Sequence, residues 1–205
     1  MASSMLEQLF TSKARVKVLE TFLVTSSDAE MHIRELAREL NTSPPHIMKV
    51  LESLTNLGIL TKVRRGNMVF YKLNKSSTIA EDIKRILLKT ESLGYEFQKL
   101  LKASDKQSIR YALIYGSFAK GTEVTSSDID LLVIGDIDED EVVKTVLKAQ
   151  KRIGREINYI VWNEKEFAEK IRSEAVLLRE IAKTPVIMLI GDEHEFKRSI
   201  KEAHN

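Results

Sequence analysis

The chain has no cysteine in its 205 residues. This excludes disulfides, thiolate zinc fingers and a cysteine nucleophile, and it suits a reducing compartment. With 3 prolines and 8 glycines against abundant Glu and Lys, the composition would suit a thermophile, on composition alone. No apolar stretch approaches the roughly 18 residues of a membrane span. Met1 to Phe10 lacks the basic start and apolar run of a signal peptide. The expectation is a cytoplasmic chain with no membrane partner. Charge of one sign is also lacking: the formal net charge is +2, so the molecule as a whole is no general polyanion binder.

What the chain does have is 43% hydrophobic residues, enough for one or two domains with their own cores. Its charge is unevenly spread. Residues 1–75 carry 11 Lys and Arg against 7 Asp and Glu, whereas the remainder carries 21 against 23. A mildly basic front half is what a chain needs if only that half meets phosphates.

Apolar residues at helical spacing predict helices over Ser12 to Val24 and Ile33 to Leu40. Asn41-Thr42-Ser43-Pro44 is a turn leading into a third helix, with Ser43 suited to cap it and Pro44 suited to its first position. That helix should run to Leu57 and stop at Gly58. Its buried stripe would be Ile47, Val50, Leu51, Leu54 and Leu57, which leaves Pro45, His46, Met48, Lys49 and Ser53 outward or at the edges. Two strand-like runs, Leu60 to Val63 and Met68 to Leu73, flank Arg64-Arg65-Gly66-Asn67 and predict a hairpin with a basic tip.

Three helices and a hairpin in this order resemble the winged helix-turn-helix of ArsR- and MarR-like regulators. The resemblance is carried by Ile33-Arg34-Glu35-Leu36-Ala37, Ser43-Pro44-Pro45-His46-Ile47, Leu54 to Leu60 and Tyr71-Lys72-Leu73. It implies that double-stranded DNA is a partner, with the third helix in the major groove. Pro45, His46 and Lys49 would lie at that interface, and Arg64 and Arg65 would meet phosphates. A domain that only contacts other proteins is the alternative.

After the polar break Asn74 to Thr78, residues Ile79, Ile83, Ile86, Thr90, Leu93, Phe97 and Leu100 recur at alternating spacings of four and three. This heptad seam predicts a helix that pairs with its twin in a homodimer, or else packs on its own domains. The organisation expected is α+β: a winged helix over 1–75, a linker or dimerisation helix over 76–104, and an α/β domain over 105–205.

In the back half the hydrophobic period shortens. Strands are expected at Ile109 to Tyr115, Asp128 to Ile134 and Glu156 to Trp162, with a loop from Gly116 to Ser127 and a helix from about Asp138 to Ile153. A helix capped by Asn163 and Glu166 follows, then a strand near Val186 to Ile190 and a C-terminal helix. Asp128 and Asp130 open their strand two residues apart, so both carboxylates share a face and can converge on one hard divalent cation.

Gly116-Ser117-Phe118-Ala119-Lys120-Gly121 followed by Ser127-Asp128-Ile129-Asp130-Leu131-Leu132-Val133 closely resembles the DNA polymerase beta type nucleotidyltransferases, in particular their minimal members, over roughly residues 105–162. The resemblance implies that Gly116 and Ser117 hold a triphosphate. It implies that Asp128 and Asp130 bind Mg²⁺ or Mn²⁺ and are the catalytic carboxylates, with ATP as the expected nucleotide. One departure stands out. Where the family places a third carboxylate, Arg155-Glu156-Ile157-Asn158 supplies an asparagine, which can ligate through its carbonyl but cannot act as a base. Glu156, and less favourably Glu123, are the substitutes in reach.

Three functions follow as expectations. The chain is a DNA-binding regulator that transfers a nucleoside monophosphate to a protein or small-molecule hydroxyl, or a regulator that only senses nucleotide, or a dimeric scaffold. Asp136-Ile137-Asp138 repeats the Asp-x-Asp spelling but opens a helix, where acidic residues complement the dipole. Lys120, Lys151, Arg152 and Arg155 are expected on a solvated basic face.

Overall fold

The computed structural model describes residues 10, 12–90, 93–103, 108–124 and 126–202. Two compact units divide the chain, Met1–Glu91 and Ser92–Asn205.

In the first unit, helix α1 (Lys13–Glu20) continues into a wider helical turn, Thr21–Thr25, and is capped by the Ser12 side chain, which accepts from Arg15 N. A short strand β1 (Met31–His32) leads into α2 (Ile33–Glu39). His32 caps that helix: its Nδ1 accepts from Arg34 N at 3.2 Å, while Glu35 accepts from His32 N at 3.5 Å. Helix α3 (Pro44–Asn56) then buries Ile47, Val50, Leu51 and Leu54. Leu57, expected on that stripe, is instead 58% exposed, because it sits past the last helical turn. Ser43 makes no side-chain capping bond; its carbonyl accepts from the His46 and Ile47 amides.

Strands β2 (Leu60–Arg65) and β3 (Met68–Leu73) form the hairpin, and β1 adds antiparallel to β3. Helix α4 (Ala80–Thr90) completes the unit. Helix, short strand, two helices and hairpin make a winged helix-turn-helix.

The second unit opens with α5 (Leu93–Ala103); of the stretch expected as one linker helix, α4 falls in the first unit and α5 in the second, and residues 91–92 between them lie outside the described residues. The expected boundary at 104/105 lies outside the described residues. Four strands follow in the order β6-β5-β4-β7: β4 (Ser108–Tyr115), β5 (Ile129–Asp136), β6 (Ile157–Trp162) and β7 (Ile187–Ile190). Only β5 and β6 run parallel, because the helix α7 (Glu139–Ile153) crosses between them.

Strand β5 is central and its residues from Leu131 to Ile134 are fully buried, the sheet position that a continuous apolar run suits. Each such side chain contributes about 1.5–3 kcal/mol on burial. On one face Leu132, Ile134, Tyr111 and Leu113 pack against Phe167, Ile171, Leu178, Ile181, Phe196 and Ile200. Those come from α8 (Glu164–Arg172), α9 (Val176–Lys183) and α10 (Glu193–Glu202). Helix α7 buries Val142, Val146, Ala149 and Ile153 and packs on α5 and β6. No helix among the described residues is long and apolar enough to cross a membrane.

Candidate functional site

The sheet register places the key residues side by side. Asp130 is paired across β4 with Tyr115 and across β6 with Asn158, so one lateral row reads Tyr115, Asp130, Asn158. Cross-strand partners share a face, and Asp128, two residues before Asp130, joins them there. Its ladder extends one step beyond the strand, since Ile129 N donates to Glu156 O at 2.9 Å. Asn158 Nδ2 donates to Asp128 Oδ2 at 3.3 Å and is close enough to Asp130 to favour its ionised form. Glu156 is exposed. Asn158 is the side chain that meets the aspartates.

Gly116 lies where β4 ends and the short helix α6 (Gly116–Lys120) begins, at φ +73°. That left-handed backbone disfavours any residue with a Cβ. There is also no room for one: a Cβ on Gly116 would overlap Asp130 Oδ2. The glycine therefore lets the turn and the carboxylate occupy adjacent space. Ser117 is half-buried beside it, and Gly121 ends α6 in a left-handed cap whose N–H donates to Ser117 O.

Burial pushes the Asp130 carboxyl above the usual carboxylate range; Asn158 opposes this and the neighbouring Asp128 charge adds to it. Burial, then the Asp130 charge, also raise the Tyr115 hydroxyl. Crowded, partly desolvated carboxylates call for a counter-cation. The donor set, two carboxylates with an amide oxygen available at Asn158, fits a hard oxygen-seeking ion such as Mg²⁺ or Mn²⁺. Among the described residues no cluster of three His, Cys, Asp or Glu side chains forms. The third ligand position is left to an uncharged group.

Arg155 departs from expectation. It is 6% exposed rather than on a solvated face. Its Nη1 donates to Val124 O at 3.0 Å and Ser127 O at 2.9 Å, and its guanidinium stacks 5.1 Å from the Phe118 ring centre. Its partners Val124 and Ser127 lie 31 and 28 residues earlier, beyond the reach of any local pattern. Asp138 caps α7 by accepting from Asp140 N, as its place at a helix start implies.

In the first unit Pro45, His46 and Lys49 are exposed on α3, while Ser53 accepts from Arg15 across to α1. The hairpin tip is only Gly66-Asn67, so Arg64 and Arg65 end strand β2. Arg65 pairs with Glu30 at 2.6 Å, and Lys72 approaches the same carboxylate at 3.7 Å. Arg64 is exposed.

In the second unit, then, one carboxylate lies against a bare glycine turn with a second beside it. Residues 98–184 match the family described as Polymerase beta, Nucleotidyltransferase. A putative protein adenylyltransferase of Methanocaldococcus jannaschii is 38% identical over 76 residues, which span 37% of this chain and 76% of that protein. Through its second unit, the chain belongs to the polymerase beta nucleotidyltransferase family.

Two solved structures show partial likeness. One is a toxin-antitoxin complex with AMP-PNP, 18% identical, covering 54% of this chain and 83% of its own, with a TM-score of 0.38. The other is the transcriptional regulator BldR of Sulfolobus solfataricus, 13% identical, covering 49% and 68%, with a TM-score of 0.37.

Proposed function

We propose that the chain is a DNA-binding regulator whose second unit uses Mg²⁺ or Mn²⁺ to transfer a nucleoside monophosphate, from ATP, to a hydroxyl on a protein. The observation that carries this is Asp130 set against the left-handed Gly116 turn, with Asp128 beside it. The description of the archaeal relative as a protein adenylyltransferase favours ATP and a protein acceptor over a small molecule.

In that reading Asp128 and Asp130 hold the metal, and Gly116 and Ser117 bind the phosphates. Bound there, the ion would neutralise phosphate charge. Transfer forms a bond from the acceptor oxygen to the α-phosphorus and breaks the bond to pyrophosphate. The acceptor's proton must leave. Asn158, beside both aspartates, cannot take it, so a second reading, nucleotide binding without turnover, rests on that one residue.

The test is incubation with labelled ATP, CTP, GTP and UTP, divalent metal and cell extract, beside an Asp128→Ala/Asp130→Ala variant. Label reaching a protein with the wild type alone supports transfer. Metal-dependent binding without label transfer favours the sensor, and absence of both rejects a nucleotide site.

For the first unit, counterion release makes affinity for DNA fall with salt in proportion to the phosphates contacted. Arg64→Ala is expected to reduce that salt slope by about one. Arg65→Ala should reduce it less, because Glu30 already occupies its guanidinium. Fluorescence anisotropy across a salt series on the chain's own upstream DNA reads both, and equal slopes for wild type and the Arg64 variant would rule out the wing contact.

Self-association, if the heptad seam drives it, rests on α4 alone. Ile79, just before α4, and Ile86 on it are exposed, whereas Leu93, Phe97 and Leu100 are buried within the second unit. An Ile79→Lys/Ile86→Lys variant should then sediment as a monomer beside a dimeric wild type.

A further inference from the structure

We infer that Arg155 is a positioning residue that sets the metal affinity of the nucleotide site by holding Asp128 in place; the inference rests on the nucleotide-site reading above. Arg155 hydrogen-bonds to Val124 O and Ser127 O, on the approach to the two aspartates. It acts on what lies immediately before them. Val124 and Ser127 are tied to each other, with Ser127 N donating to Val124 O at 2.9 Å and Val124 N donating to Ser127 Oγ at 3.0 Å. The carbonyls of both residues accept from the buried Arg155 guanidinium.

Ser127 is bonded to Asp128, so fixing its carbonyl fixes the peptide plane from which the Asp128 side chain departs. One further link reaches that side chain and two brace what surrounds it. Ile129 N is tied to Glu156 O, Asn158 Nδ2 reaches Asp128 Oδ2, and the Arg155 guanidinium lies on Phe118, in the helix that begins with Gly116 and Ser117. One side chain therefore braces the loop, the phosphate-binding helix and the start of β6 together.

Guanidinium chemistry is needed for this. Both bonds leave one nitrogen, Nη1, while the guanidinium carbon lies 5.1 Å from the Phe118 ring centre; an ammonium on a lysine stem offers a point charge without that plane. A carboxylate held in one orientation binds a cation without first losing rotamer freedom, and a loosened one must be ordered by the metal itself. Loss of the brace should therefore appear in metal affinity first.

The experiment uses the full chain with Mn²⁺ and ATP as probes. Nucleotide binding is followed by calorimetry against Mn²⁺ concentration in wild type, Arg155→Lys and Arg155→Met, with melting temperature as a folding check. In Arg155→Met the Mn²⁺ concentration for half-maximal ATP binding should rise at least tenfold, while metal-free ATP binding stays within twofold. Arg155→Lys should fall between the two and carries the comparison if the Met variant does not fold. In an Asp128→Ala background, Arg155→Met should move the Mn²⁺ requirement less than twofold, because the residue it acts through is gone; a general loss of structure would add its full effect.

An unchanged Mn²⁺ requirement in folded Arg155 variants overturns the positioning role, as does full additivity with Asp128→Ala. A wild type that binds neither Mn²⁺ nor ATP fails differently: it removes the nucleotide site itself, and the Arg155 role with it.

Discussion

Asn158→Asp should raise the rate of label transfer from ATP by about 10²-fold or more, the span that a positioned general base contributes. The wild-type residue sits in the row Tyr115, Asp130, Asn158 and donates to Asp128. It supplies hydrogen bonding where a third carboxylate would supply negative charge and a proton acceptor. The same substitution has an opposite effect without metal. It replaces the N–H donor by an oxygen and places a third anion against two others, one of which is already reluctant to ionise. The metal-free variant should melt below wild type and recover on adding Mg²⁺. Radiolabel transfer and a melting series with and without Mg²⁺ measure both halves. If wild type and variant transfer label at the same rate, the asparagine is not what limits this site, and the sensor reading loses its support.

The second large effect is expected at Gly116. Gly116→Ala should cut metal-dependent ATP affinity by more than tenfold, and two costs act together. The left-handed backbone penalises any Cβ by about 1–2 kcal/mol. The added methyl must also displace the Asp130 carboxylate, because it would overlap Oδ2. Gly58 separates the two costs. It has nearly the same φ, +72°, yet open space where its Cβ would be. Gly58→Ala should lower the melting temperature by a comparable backbone cost and leave ATP binding unchanged. Calorimetric affinities for both variants provide the measurement, and an ATP affinity within twofold of wild type in Gly116→Ala would show that the close approach of turn and carboxylate is incidental.

The parts of the fold that were legible in the sequence have local causes. The run Asp128 to Val133 reads as a buried strand because every residue after Asp130 is apolar, and the Asn163–Glu166 box is a reciprocal hydrogen bond within four residues. The site's Gly-Ser turn and Asp-x-Asp strand belong to the same class. What was missed depends on tertiary partners or lacks local punctuation. Strand β1 is two residues long and exists only because β3 is beside it. Helix α9 starts after Ala175 without a side-chain cap and behind Glu174 at a positive φ, so no starting signal marks it.

The heptad seam left two partners open, a twin helix or the chain's own domains. Its spacing was real, but period alone cannot say which surface a helix will cover. In α4 the inward face is Ala80, Lys84, Leu87 and Leu88 rather than the seam, and the seam's later members fill the core of the second unit. Arg65 shows the same limit at the level of charge, since Glu30, 35 residues earlier, is its partner.

The raised Asp130 carboxyl makes a proton and a metal ion rivals for one place. A carboxylate whose folded value lies above its unfolded one stabilises the fold when protonated, fully below the unfolded value, and loses that contribution as pH rises through the folded value. Ionising Asp130 therefore costs the fold that contribution, while Glu195, which Tyr111 and Arg110 hold below the usual carboxylate range, gives its own only when ionised. If Asp130 holds a cation as proposed, acidification relieves the first cost, withdraws the second contribution and sets protons against the ion at one carboxylate.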